Sequence, residues 1–255
     1  MEHVHTRLED GVLSLILARP EKKNALTNGM YGALADGLAQ AGADPAVRCV
    51  LITSEGDAFT AGNDLGDFAA VASGAIARAD MHVHRFLEKL AALDKPIVAA
   101  VPGLAVGVGT TMLLHCDLVF LAETATLSAP FVDLALVPEA ASSALLPARI
   151  GHVRAFALFA LGERLDAQTA LSLGLANRVV ASPDLQATAR AACAALAAKP
   201  LGALTATKRL MREGEAVTAR MAAEADVFQE RLASPEAREA FTAFAERRKP
   251  DFSKL

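Results

Sequence analysis

The chain has 255 residues, with 25 Lys+Arg against 29 Asp+Glu for a formal net charge of −4, and it is 53% apolar and 21% charged. This composition supports a large buried core and excludes intrinsic disorder, and without a long basic run it excludes a protein built to neutralise nucleic-acid phosphates. Three widely spaced cysteines, Cys49, Cys116 and Cys193, argue for reduced thiols rather than a disulfide framework or zinc site, and no apolar run reaches the ~18 residues of a membrane span.

In chain order, His3 to Leu8 and Val12 to Ala18 read as strands joined by a Glu9-Asp10-Gly11 turn, an Asp-Gly hairpin signal. Thr27 caps a helix reaching about Ala41. Val47 to Thr53 is a buried strand. A helix over Met81 to Leu93 ends before Pro96, and Ile97 to Val101 is the next strand. A Gly-rich turn and a short helix to His115 lead into a strand from Leu118 to Ala122. This order gives repeated ββα or βαβ units, an α/β arrangement.

From Asp166 the texture changes. Asp166 caps a helix to Leu173, and Ser182-Pro183-Asp184 starts another with a cap, a Pro and an acid at the positive end of the dipole. Segments 184–198, 201–212, 217–232 and 235–248 are Ala-rich and helical in pattern, with a further start at Ser234-Pro235-Glu236. Residues 199–255 carry 11 basic and 9 acidic side chains, against 14 and 20 before them. The expected organisation is therefore a core over 1–198 and a more basic helical segment over 199–255. Arg247-Arg248-Lys249 suits a solvated last helical turn.

Two glycine-containing turns follow buried strands: Ala58 to Leu65, and Gly103 to Gly109. Such turns can aim backbone N–H groups at a developing negative charge, or can be plain tight turns. The second lacks the full dinucleotide fingerprint, so it is a poor NAD site. Among the acids, Glu139 follows Pro138 amid apolar and small residues, where a helix would begin. It is either a first-turn Glu complementing the dipole or a partly buried general base. Asp117 and Asp133 are rivals; Asp117 precedes a strand and suits a turn or cap. His3/His5 are terminal, and His82/His84 are two apart on a helix and share no face, so neither pair makes a metal site. Ser142 and Ser143 lack a Gly-x-Ser-x-Gly context.

The motifs converge when taken together. Arg19-Pro20-Glu21-Lys22-Lys23-Asn24-Ala25-Leu26, Phe59-Thr60-Ala61-Gly62-Asn63-Asp64-Leu65, Lys95 to Gly103, Cys116-Asp117 and Ala243 to Pro250 occur in one order. In these the chain resembles the crotonase superfamily, the enoyl-CoA hydratase/isomerase family, over nearly its whole length. The resemblance implies an α/β, crotonase-like spiral of ββα units with a helical C-terminal trimerisation segment, assembling as a homotrimer or dimer of trimers. It implies an acyl-CoA thioester substrate, whose coenzyme A is part of the substrate, and no separate cofactor or metal. It also implies two backbone N–H donors to the thioester oxygen, at Asn63 and at Val108, where valine replaces a more usual glycine.

Hydratases of the family carry two glutamates that hold and activate water; here those positions are Thr111 and Phe131, so these two are expected in the acyl pocket instead. Glu139 matches the single catalytic glutamate of the peroxisomal-type Δ3-Δ2-enoyl-CoA isomerases. That branch also resembles this chain in Ala61-Gly62-Asn63-Asp64-Leu65 and in Pro130-Phe131 followed by Pro138-Glu139-x-x-Ser142-Ser143. Isomerase is therefore favoured over hydratase or a non-catalytic acyl-CoA-binding protein. The resemblance assigns coenzyme A contacts to Lys22, Lys23, Ala25, Ala61, Asp64 and Leu65, and, from a neighbouring subunit, to Phe244, Arg247 and Lys249. Phe68 to Asp80 is expected to shape the acyl pocket. The chain start lacks a signal-peptide pattern, and a cytoplasmic, bacterial setting is expected. The terminal Ser253-Lys254-Leu255 would be a peroxisomal address in a eukaryote.

Overall fold

A computed structural model describes residues 3–64, 66, 67 and 80–255. The chain opens with a hairpin of β1 (Val4–Glu9) and β2 (Val12–Leu17), paired from Val4↔Leu17 to Glu9↔Val12. Asp10 and Gly11 are both left-handed, at φ +49° and +77°, the backbone a two-residue turn of this hand needs. Helix α1 (Asn28–Ala43) then begins at the expected cap, with Thr27 accepting the Met30 N–H.

Three successive passes place one strand in each of two sheets. β3 (Cys49–Ser54), β5 (Ile97–Val101) and β7 (Leu118–Ala122) join the hairpin and β10 (Arg178–Val180) in a sheet ordered β1-β2-β3-β5-β7-β10. The short strands β4 (Ala58–Thr60), β6 (Leu104–Val106) and β8 (Thr126–Ser128) form a second sheet, closed by β9 (Arg164–Asp166). Apart from the β1–β2 and β8–β9 pairs, all neighbours are parallel. Every residue of β3 and β5 is buried, as parallel strands covered on both faces require. Helices α2 (Val83–Ala92) and α3 (Val108–Thr111, continued to His115 as a 3-10 turn) complete the first two passes. The expected ββα spiral is thus the architecture of the chain.

Several elements depart from expectation. The Gly103–Gly109 turn contains a strand, β6. The helix expected at Glu139 is α4 (Ser142–Ile150), starting three residues later, because Ala140 and Ala141 are left-handed at φ +61° and +55°. Helix α5 (His152–Ala160) follows, and α6 (Ala167–Ser172) is capped by Asp166 as expected. Ser182 to Asp184 is a 3-10 turn in which Ser182 makes no cap bond, and α7 (Leu185–Ala197) begins after it.

Three further helices close the chain: α8 (Leu201–Leu210), α9 (Gly214–Leu232) and α10 (Pro235–Ala245), the last capped by Ser234. They pack on their own core. Met221, Phe228, Leu232 and Phe241 lie against its apolar cluster. The buried Lys208 Nζ donates to the Lys95 carbonyl and pairs with Asp117, both at 2.7 Å. Among the described residues no helix is long and apolar enough to cross a membrane.

Candidate active site

The motif loop at 19–26 is built around one amide. Asn24 is wholly buried; its Oδ1 accepts the Arg19 N–H at 2.8 Å, and its Nδ2 donates to the carbonyls of Glu55 and Ala58 at 2.9 and 2.8 Å. That bonding presses the loop onto the end of β4. Ala61 N–H then donates to Lys23 O, Leu26 N–H to Gly62 O and Asp64 N–H to Leu26 O, at 2.8–2.9 Å. Lys22, Lys23, Ala25, Ala61 and Asn63 therefore sit on two loops zipped side by side, with the Lys22 and Lys23 side chains exposed.

Asp64 serves this zipper. Its carboxylate meets Arg19 Nη1 at 2.6 Å and accepts the Gly66 N–H at 2.9 Å, while the same guanidinium nitrogen donates to Ala25 O at 3.0 Å. Partial burial works to raise the Asp64 pKa, but Arg19 and the backbone donors outweigh it and hold it below the usual carboxylate range. Leu65 and residues 68–79 of the expected pocket segment lie outside the described residues.

The second glycine turn abuts the first. Gly62 is at φ +90°, and a Cβ there would stand 3.0 Å from Val106 O; only glycine lets the two backbones approach so closely. Gly107, at φ +56° and ψ −118°, turns the chain from β6 into α3, a conformation essentially restricted to glycine. Val108 is the first residue of that helix, where backbone N–H groups lack intrahelical acceptors. Neither the Asn63 nor the Val108 N–H donates to another group among the described residues. These two backbone N–H groups lie on adjacent passes of the spiral.

One turn further along α3, the buried Thr111 hydroxyl donates to Glu139 Oε1 at 2.9 Å. Glu139 lies in the irregular stretch after Pro138. Burial pushes its pKa up to about 7, against the Thr111 hydrogen bond that works to lower it, and the nearby Glu224 charge adds to the rise. Phe131 is buried, its ring 6.0 Å from Phe159 and inclined at 54°. Thr111 and Glu139 thus meet one helical turn from Val108, while Phe131 packs on Phe159. Asp133 does not join them; it sits on an exposed 3-10 turn. Asp117 is structural, accepting the Ile97 N–H at 2.8 Å and pairing with Lys208. Phe244, Arg247 and Lys249 are exposed at the end of α10 and beyond it.

Three site residues escaped the sequence argument. Tyr31, the single tyrosine, is buried on α1 with its hydroxyl on Asn63 Oδ1. Burial, then the charges of Glu139 and Asp67, hold its phenol well above its usual pKa. His115 is buried and its Nε2–H donates to Ala140 O at 2.8 Å; burial lowers its pKa to about 4 against that hydrogen bond, with Arg212, Arg149 and Lys208 adding to the fall. Glu224, on α9, accepts the Ala141 and Ser143 N–H groups at 2.6 and 2.9 Å. Only the lone tyrosine on an otherwise Ala- and Gly-rich helix offered a signal.

The Tyr31 bond bears on Asn63. Asn63→Ala keeps the backbone donor, so it is expected to retain most of the activity, while orphaning a buried phenol and costing about 1–3 kcal/mol of stability. Tyr31→Phe on the same background is expected to restore much of that loss. Urea unfolding of the single and double variants, with rates alongside, checks both expectations.

Residues 7–254 match the family described as enoyl-CoA hydratase/isomerase. The chain is similar to 1,2-epoxyphenylacetyl-CoA isomerase of Escherichia coli (strain K12), 35% identical and covering 99% of each chain. It is also similar to human enoyl-CoA delta isomerase 2, 31% identical over 94% of this chain and 62% of that protein. A crystal structure of an enoyl-CoA hydratase/isomerase from Pseudoalteromonas atlantica T6c superposes with a TM-score of 0.93 at 43% identity, over 98% of this chain and 100% of the other. With its spiral fold and its two facing donor loops, the chain belongs to the enoyl-CoA hydratase/isomerase family of the crotonase superfamily.

Proposed function

We propose that the protein is a Δ3-Δ2-enoyl-CoA isomerase. The observation that carries this reading is Glu139, a carboxylate whose pKa is raised to about 7, with threonine and phenylalanine at positions 111 and 131. A base poised near neutral pH suits removal of a proton beside a thioester. In the proposed reaction Glu139 takes a proton from C2 of a 3-enoyl-CoA. The electron pair moves onto the thioester oxygen, which the Asn63 and Val108 N–H groups stabilise. Collapse of the dienolate shifts the double bond from C3–C4 to C2–C3 as the Glu139 carboxyl returns the proton at C4. One carboxylate suffices for this; adding water calls for a second group to position it.

Lys22 and Lys23 suit the coenzyme A phosphates by charge, with Ala25, Ala61, Asp64 and Leu65 along the same two loops. Phe244, Arg247 and Lys249 reach a bound thioester from a neighbouring subunit in a homotrimer or dimer of trimers, working in the cytoplasm. Thr111 and Phe131 border the acyl chain.

The test offers a 3-enoyl-CoA and follows its conjugation, then a 2-enoyl-CoA and looks for the 3-hydroxyacyl product. Conjugation without hydration supports the isomerase. Hydration as the faster reaction replaces it with a hydratase, and neither reaction with tight thioester binding replaces it with a binding protein. 1,2-Epoxyphenylacetyl-CoA belongs in the panel because the E. coli relative spans the whole chain. For the assembly, a solution mass of three or six chains at micromolar concentration is expected, and a one-chain mass overturns it.

A further inference from the structure

The loop carrying Glu139 is not held by its own sequence. Ala140 and Ala141 both adopt left-handed backbone, at φ +61° and +55°, which L-alanine avoids when left to itself. Ala141 occupies the cap position of α4 and has no side-chain group to accept the free N–H groups there. Both missing functions come from elsewhere. The Ala140 carbonyl takes the His115 Nε2–H at 2.8 Å. The Ala141 and Ser143 N–H groups are taken by the two oxygens of Glu224, at 2.6 and 2.9 Å. Glu224 is 7% exposed and projects from α9, more than eighty residues along the chain.

We propose that Glu224 is a positioning residue for the reaction, a buried carboxylate that clamps the Ala141–Ser143 backbone and so aims the Glu139 carboxylate, while its charge tunes how readily Glu139 gives up its proton. The inference rests on Glu139 being the base. Two consequences separate it from an ordinary helix cap. Slackening the clamp moves the base relative to the substrate, which lowers turnover more than binding. Removing the charge relieves like-charge repulsion, so the Glu139 pKa falls. The groups facing Glu139 are the Tyr31 phenol from α1, the Thr111 hydroxyl from α3 and Glu224 from α9. Glu224 is faced by Ser143 and by Arg220 of its own helix. The imidazole behind Ala140, with its pKa lowered to about 4, stays neutral above pH 5. Among the described residues, Glu224 is therefore the neighbouring carboxylate whose removal shifts the acidic limb downward.

The experiment measures 3-enoyl-CoA isomerisation against pH for wild type, Glu224→Asp, Glu224→Gln and Glu139→Gln, with circular dichroism confirming folding. Glu224→Asp keeps the charge and shortens the reach. It is expected to lower kcat about 10-fold with KM little changed and the acidic limb in place. Glu224→Gln is expected to lower kcat similarly and to move the acidic limb to lower pH. Folded Glu224 variants with wild-type kcat and limb, beside an inactive Glu139→Gln, overturn the positioning role alone. A fully active Glu139→Gln overturns the base assignment instead. If Glu224→Gln does not fold, Glu224→Asp decides by its kcat, and failure of both to fold makes Glu224 a folding residue and ends the proposal.

Discussion

Glu139→Gln is expected to lower isomerase turnover by about 100-fold or more, with coenzyme A ester binding nearly unchanged. Glutamine preserves size and can still accept the Thr111 hydroxyl bond, but it cannot take a proton from C2. Steady-state rates with direct binding measurements check this, and Asp133→Asn, on its exposed turn, serves as the control with little effect. In wild type, activity is expected to rise with pH as Glu139 ionises near pH 7. Stability runs the other way. A carboxyl whose folded pKa is raised from 4.5 to about 7 contributes its full stabilisation below about 4.5 and loses it as pH climbs to about 7. Above that the buried charge costs at most about 3 kcal/mol, so Glu139→Gln is expected to be more stable than wild type at pH 8, the gap closing at pH 5. Denaturation midpoints at the two pH values read this directly.

Val108→Pro carries the second large expectation, a loss of about 100- to 1000-fold in rate from removing one oxyanion donor. The position makes the test specific. Val108 opens α3, and the first helical residue is where proline is tolerated, because no intrahelical bond uses its N–H. The Val108 side chain is wholly buried, so Val108→Ala is the companion variant. It leaves the N–H in place and is expected to lose stability while keeping most of the rate. Similar rates in wild type and Val108→Pro reject the donor assignment.

Patterns within a few residues of each other carried most of the fold. Thr27, Asp166 and Ser234 cap the helices they precede because a cap is a bond between near neighbours. The buried runs at 49–54 and 97–101 stand out because both faces are covered. The second sheet stayed hidden, since three-residue strands such as β4 and β6 are too short to show a period. The start of α4 was misplaced because a left-handed Ala pair has no signature; alanine ordinarily favours the helix it interrupts here. Within the site, the motif loops and Glu139 were visible from their residues. Tyr31, His115 and Glu224 were not, because each acts through a partner between 25 and 83 positions away.

The two proposed oxyanion donors are main-chain atoms beside glycine turns, whereas the proposed base is one side chain on a separate pass of the spiral. These parts can therefore vary independently. Side chains at 63 and 108 can change without removing the proposed backbone donors, and the proposed base at 139 can change without altering them. In the proposed reaction such a scaffold holds one intermediate, the thioester enolate, and the placement of a single acid decides what becomes of it.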